Sequence, residues 1–163
     1  KPKFLVIDGC PVPYDVAPYI YLITRRAGQR LSSCYRGDDA KALLHRNGKS
    51  TQREIYTNPA YAGTANPPGR STHECTSDGL ASRGPVGRQL EGWQVGVDSG
   101  GDSEADKRRI EAAARHYGLR VFHPYNRGVE NHHWNFATQP KADGKHLFRT
   151  RVIITRAMLR AKR

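Results

Sequence analysis

The chain has 163 residues, 37% of them hydrophobic, and a formal net charge of +12 at neutral pH. That is long enough for one domain with a real core and too apolar for disorder throughout. No run approaches the roughly 20 apolar residues of a membrane span. The apolar stretch within residues 1–9 is too short for a secretory signal. Three cysteines at irregular spacing, Cys10, Cys34 and Cys75, argue against a disulfide framework and for folding in a reducing compartment. The positive charge favours polyanions as partners: nucleic acid, an anionic membrane, or the phosphate and carboxylate polymers of a cell wall. Much of it sits in Arg149, Arg151, Arg156, Arg160, Lys162 and Arg163, where a solvated helix face explains it as well as a binding patch does.

Taken in order, Asp15 is placed to cap a helix in which Val16, Tyr19, Ile20, Ile23 and Ala27 recur at helical spacing, with Gly28 as the stop. Leu31 to Arg36 reads as a short strand. Asp38 or Asp39 then opens a brief helix through Leu43 and Leu44 to Asn47-Gly48. Thr51 with Glu54 is a capping-box pattern for another short helix. The segment 58–70, rich in Pro, Gly, Ala and Asn, is a long loop of the kind that often carries function, and it delivers Ser71-Thr72-His73-Glu74. Residues 75–92 show no clean periodicity.

Trp93 to Asp98 alternates as a strand, with Trp93, Val95 and Val97 on one face and Gln94, Gly96 and Asp98 on the other, the glycine leaving room beside the carboxylate. Ser103, with Asp106 three residues on, caps a helix through Ile110, Ala113, Ala114 and Tyr117 to Gly118. Leu119 to Phe122 is a strand, and a turn-rich connection leads into Glu130. In Glu130-Asn131-His132-His133-Trp134-Asn135-Phe136, strand alternation puts Asn131, His133 and Asn135 on a polar face. It puts His132, Trp134 and Phe136 on a core face. A strand around His146 to Arg149 and a helix carrying Ile153, Ile154, Ala157 and Met158 close the chain. Early helices followed by interleaved strands predict an α+β fold with an antiparallel sheet. No internal repeat or second domain is visible, and the basic 140–163 extension reads as a lead into another module.

A catalytic zinc takes three protein ligands and leaves one position open. His73 after the loop, Asp98 at a strand end and His133 on the polar face make such a set. Glu130, three positions before His133, is placed to move a proton. Arg36, in Ser33-Cys34-Tyr35-Arg36-Gly37, ends a strand where its fixed charge can meet a developing oxyanion. Cys75 is a weaker candidate ligand. His45, His116, His123 and His146 read as surface or satisfied core residues. Ser71 either binds substrate or caps a turn, and Tyr35 either lines the cleft or packs.

In this order, Ser-Cys-Tyr-Arg, Asn66-Pro67-Pro68-Gly69-Arg70-Ser71-Thr72-His73-Glu74, Val95-Gly96-Val97-Asp98 and Glu130-x-x-His133-Trp134 resemble the zinc D-alanyl-D-alanine carboxypeptidases (peptidase family M15, VanY- and VanX-like), particularly the phage endolysin members. The resemblance covers residues 19–136. It implies a small α+β fold on an antiparallel sheet, of the Hedgehog and DD-peptidase kind, with zinc held by His73, Asp98 and His133. It also implies Glu130 as catalytic base and Arg36 as transition-state stabiliser; Ser71 and Tyr35 stand beside these as candidate substrate-binding residues. The substrate class it implies is peptidoglycan stem peptides, attacked by a monomer that is made in the cytoplasm of an infected bacterium and acts at the wall, drawn there by anionic wall polymers. Nucleic acid is not an expected partner.

The family's first His and its Asp lie closer together than here, where Asp98 comes 25 positions after His73. Residues 75–92 then read as an insertion, with Asp78 as the competing acidic ligand. The family's usual Trp before the ligand His is His132. Two other readings stay open. One is a metal-dependent nuclease built on the Glu-Asn-His-His cluster of a basic chain. The other is a non-catalytic wall-binding module that keeps a metal for structure.

Overall fold

The computed structural model describes residues 4–14, 16–74, 93–119, 121–123 and 130–138. Its architecture is α+β, with small antiparallel sheets and flanking helices. The chain opens with a hairpin of β1 (Phe4–Ile7) and β2 (Cys10–Pro13), where the patterns above predict no element. The signal for it is present: Asp8-Gly9 is a favoured pair for a two-residue hairpin turn, and both residues take the positive φ that turn requires, 52° and 75°. Asp8 also ties the hairpin to the first helix and the strand after it. Its buried carboxylate accepts hydrogen bonds from both terminal nitrogens of Arg25 and from the backbone N–H of Leu31.

Helix α1 (Ala17–Arg26) comes next, with Pro18 in its first turn. Asp15, the expected cap, lies outside the described residues. Strand β3 (Leu31–Ser33) is shorter than expected. Residues 34–36 leave the ladder because their backbone bonds elsewhere: Tyr35 N–H donates to the Pro11 carbonyl at 3.1 Å and Arg36 N–H to the His73 carbonyl at 2.6 Å. A 3-10 turn (Asp38–Ala40) runs into α2 (Lys41–Arg46). After it stands α3 (Gln52–Thr57), whose capping box between Thr51 and Glu54 forms as the sequence predicts. The 58–70 loop holds a 3-10 turn (Pro59–Tyr61), and a further 3-10 turn (Thr72–Glu74) ends this half.

Strand β4 (Trp93–Ser99) is followed by α4 (Glu104–His116), whose Ser103–Asp106 capping box also forms, and then by β5 (Val121–Phe122) and β6 (His133–Thr138). The four later strands make one antiparallel sheet in the order β3-β4-β6-β5. Val95 pairs with Phe136 and Val97 with Trp134, so these four share a face. They bury it together with Ile20 and Ile23 of α1 and Ile110, Ala113 and Ala114 of α4. The alternate pairs, Gly96 with Asn135 and Asp98 with His133, fall on the opposite face. That face is buried as well, with Asn135 fully inaccessible, and Ser71, Thr72 and His73 are buried with it.

Gly96 is what lets the Thr72–Glu74 turn approach: a Cβ there would lie 2.8 Å from the Thr72 Cβ and 2.9 Å from its backbone carbon. A smaller cluster of Tyr35, Ala40 and Leu44 packs against Phe4. Cys10 and Cys34 are buried thiols. Among the described residues no helix is long and apolar enough to cross a membrane. Residues 75–92, the expected strand at 146–149, the terminal helix and the side chain of Trp93 lie outside the described set.

The Asp8 tie predicts a large penalty for its removal. Asp8→Ala leaves the Arg25 guanidinium without its buried counter-charge and costs on the order of 3 kcal/mol. Asp8→Asn, which keeps an acceptor and tolerates positive φ, costs less. Urea denaturation midpoints for the two variants check the order.

Candidate metal centre

Three elements converge on one end of the sheet. Asp98 near the end of β4 and His133 at the start of β6 are directly opposite in register, so the ladder itself places a carboxylate beside an imidazole. His73 comes down onto them from the 3-10 turn that Gly96 admits. The His133 Nδ1 lies 2.8 Å from Asp98 Oδ1 and 3.1 Å from His73 Nε2, and His73 Nε2 lies 3.3 Å from Asp98 Oδ1. The three could hold a metal ion, their ligand atoms all lying within 4.8 Å of one another. Cys75 and Asp78, the rival ligands, are outside the described residues.

The remaining polar atoms of the cluster are bonded. His73 Nδ1 is 2.8 Å from the Cys34 carbonyl, and because a carbonyl only accepts, the nitrogen there carries the proton. His133 Nε2 is 3.0 Å from Asn135 Oδ1 and 3.2 Å from Thr72 Oγ1. Asp98 Oδ2 accepts from Arg36 Nη2 at 3.2 Å. Arg36 is held in turn by Nε donating to Ser33 Oγ and Nη1 to Gln52 Oε1, while the Arg36 carbonyl accepts from Gln52 N–H.

Protonation is set by this packing. Burial, reinforced by the neighbouring Arg36 cation, lowers the pKa of His73 to about 4, so its ring is neutral at neutral pH. Burial raises the pKa of Asp98, while a proton on either facing imidazole, His73 or His133, lowers it by more, and the Arg36 guanidinium on Oδ2 adds a fixed counter-charge, so the carboxyl is held well below the usual range. A neutral imidazole and an ionised carboxylate are the forms in which these side chains bind a cation.

The cluster opens into a cleft of about 250 Å³, lined also by Arg36, Gln52, Ser71, Glu130 and His132. Ile55 and the half-exposed Tyr61 add apolar surface to the lining. Glu130 stands exposed on this cleft, in a turn whose carbonyl accepts the His133 N–H, with a left-handed backbone (φ 52°) uncommon outside glycine. Ser71 is buried, lines the cleft and bonds the His73 N–H through its hydroxyl.

Two expectations need correction. His132 does not enter the core: pairing with β4 starts at His133, so the alternation that would send it inward does not reach it. It sits in the preceding turn at the cleft wall, its backbone N–H and Nδ1 both on Asp102 Oδ1. Tyr35 does not line the cleft. It is 3% exposed, stacks on Phe4 at 4.9 Å and donates its hydroxyl to Asp39.

No match to this chain is found among protein-family models, curated proteins or solved structures. Function has to be read from the cleft itself. The residues that sequence patterns miss there are Gln52, Thr72 and Asn135. Only Asn135 carries a signal, its place two residues after His133 on the same strand face.

The geometry makes two outcomes measurable. Gly96→Ala pushes the Thr72–Glu74 turn off the sheet and separates His73 from its partners, so metal uptake falls at least tenfold while the α1 and α4 packing persists. Equilibrium dialysis alongside far-UV circular dichroism checks this. In the metal-free protein, the unfolded chain takes up a proton near pH 6.5 that folded His73 refuses until about 4. The contribution of His73 to stability is therefore whole above the first value, declines as pH falls, and is gone below the second, a loss of up to about 3 kcal/mol. His73→Gln should flatten the denaturation midpoint across that window.

Proposed function

We propose that this chain is a zinc-dependent peptidase that hydrolyses an amide bond in peptidoglycan stem peptides, as the catalytic domain of a phage endolysin. The observation that carries the reading is the convergence of His73 Nε2, Asp98 Oδ1 and His133 Nδ1 at the floor of a cleft that Glu130 and Arg36 also line. Zinc bonded at about 2.0–2.1 Å to tetrahedral ligands separates neighbouring ligand atoms by about 3.3 Å. The three separations here, 2.8, 3.1 and 3.3 Å, are near that figure, so the residues fit the ion. The number of ligands supports catalysis over structure: no fourth His, Cys, Asp or Glu joins the cluster among the described residues, whereas closed structural sites use four. The ordered motifs from Ser33 to Trp134 support the peptidase M15 fold and substrate class.

When bound, zinc supplies Lewis acidity, polarising the scissile carbonyl and making water acidic enough to attack at neutral pH. The chain's own residues supply the rest. The Glu130 carboxylate accepts the proton of the attacking water and returns it to the leaving amine. Arg36, fixed by Ser33, Gln52 and Asp98, turns a held positive charge toward the cleft where the carbonyl oxygen becomes an anion. Ser71 offers a hydroxyl to the peptide backbone, and Ile55 with Tyr61 gives its side chains an apolar wall. The net charge of +12 draws the protein to anionic wall polymers.

The test pairs zinc content with digestion of purified peptidoglycan. The wild type is expected to bind one zinc and release muropeptides in a chelator-sensitive manner. Glu130→Gln should retain zinc and lose about 10²–10⁴-fold in rate. Wild type with stoichiometric zinc that leaves peptidoglycan intact, or Glu130→Gln at full activity, defeats the proposal. Plasmid incubated in parallel with zinc or magnesium should stay uncut, and its cleavage would point to the nuclease reading instead.

A further inference from the structure

We propose that Asn135 is a positioning residue of the metal centre: it keeps the proton of His133 on Nε2 and so presents Nδ1 to the ion. This inference rests on the metal reading above and adds the device that selects the ligating nitrogen. A neutral imidazole has one N–H and one lone pair, and a cation can take only the lone pair. The two nitrogens of His133 lie in different company. Nδ1 looks at Asp98 Oδ1 (2.8 Å) and His73 Nε2 (3.1 Å), and Nε2 looks at Asn135 Oδ1 (3.0 Å) and Thr72 Oγ1 (3.2 Å).

Among the partners of Nε2 the two oxygens have different powers. The Thr72 hydroxyl donates or accepts and adapts to either tautomer. The amide oxygen of Asn135 only accepts, so a bare Nε2 would set two lone pairs against each other in a place where Asn135 is 0% and His133 3% exposed and water cannot intervene. With its oxygen turned to the ring, as here, the side-chain amide of Asn135 favours the proton on Nε2, the tautomer that leaves the Nδ1 lone pair for an ion. Opposing it is Asp98, a charged acceptor that competes for a proton on Nδ1. Without Asn135 the ring is free to give that proton to Asp98 and present the wrong nitrogen. His73 has an equivalent fixture in the Cys34 carbonyl, which holds the proton on Nδ1 and leaves Nε2 to the ion.

The surrounding structure is built around this contact. Asn135 stands two residues after His133 on β6, so the two share a face, and its cross-strand partner is Gly96, which has no side chain to intrude. The space above Gly96 is filled by Thr72, which closes over the His133 Nε2. Outer partners that fix the tautomer of a ligating histidine typically change metal affinity by about 10–100-fold when removed.

The experiment uses the 163-residue chain and zinc. Asn135→Leu, close in size and unable to accept, should bind zinc about 10–100-fold more weakly in chelator competition. Asn135→Asp, which accepts from Nε2–H as the amide does, should return affinity to within threefold of wild type or better. Nitrogen-15 NMR of the zinc-loaded wild type, which needs no variant, should show the His133 proton on Nε2 in slow exchange with solvent. The proposal is overturned by a zinc-loaded His133 that carries its proton on Nδ1, by Asn135→Leu binding zinc as tightly as wild type, or by Asn135→Asp binding no better than Asn135→Leu. A wild type that takes up no zinc sinks it along with the metal reading. One that binds zinc with these affinities but digests no peptidoglycan sinks the peptidase reading alone.

Discussion

A buried carboxylate must be compensated, and in this protein the compensation of Asp98 organises the site. Its two oxygens are divided. Oδ1 faces the histidine pair and Oδ2 takes the Arg36 guanidinium. To bring those groups in, the fold needs the β4–β6 register that opposes Asp98 to His133, the Gly96 gap that lowers His73 onto the sheet, and the departure of residues 34–36 from β3 that aims Arg36. An unpaired carboxylate at this depth would cost several kcal/mol. The Arg36 guanidinium that offsets this cost also favours the ionised form of Asp98, so stability and readiness for a cation share a source.

The cleft lining mixes two characters. Charged and proton-bearing groups, Arg36, Glu130 and His132, share it with Ile55 and Tyr61. A small-ligand cleft benefits from this mix, because apolar contact gives affinity without direction while a few fixed polar groups give direction. Arg36 gains precision from having three of its donors occupied, which leaves it little rotamer freedom to lose when a ligand enters.

What is legible in the sequence is what is local. Capping boxes at Thr51 and Ser103 work within four residues, and both form. Alternation in 95–98 and 133–136 correctly separates a core face from a polar one, because both strands are paired over their length. Errors arise where the local rule lacks a boundary. Alternation extends one residue too far, to His132, since nothing in the residues says where pairing stops. Tyr35 reads equally well as a cleft or packing residue, and only the position of Phe4, far away in the chain, decides it. The initial hairpin escapes the pattern despite its Asp8-Gly9 signal, because its strands are short and β2 carries prolines that dilute the strand pattern. Gln52 is beyond reach, since its role comes from a turn that brings α3 beside Arg36.

The rings of the two histidines are anchored by different kinds of atom. The His73 ring rests on the main chain, at the Cys34 carbonyl. That carbonyl exists whatever side chain stands at 34. The surroundings of His133 depend instead on residue identity: an amide at 135, a hydroxyl at 72 and the absence of a side chain at 96. Sequence drift would therefore act unevenly on one cluster: the side chain at 34 can change without moving the His73 ring's partner, while those at 72, 96 and 135 around His133 are held to a narrow choice.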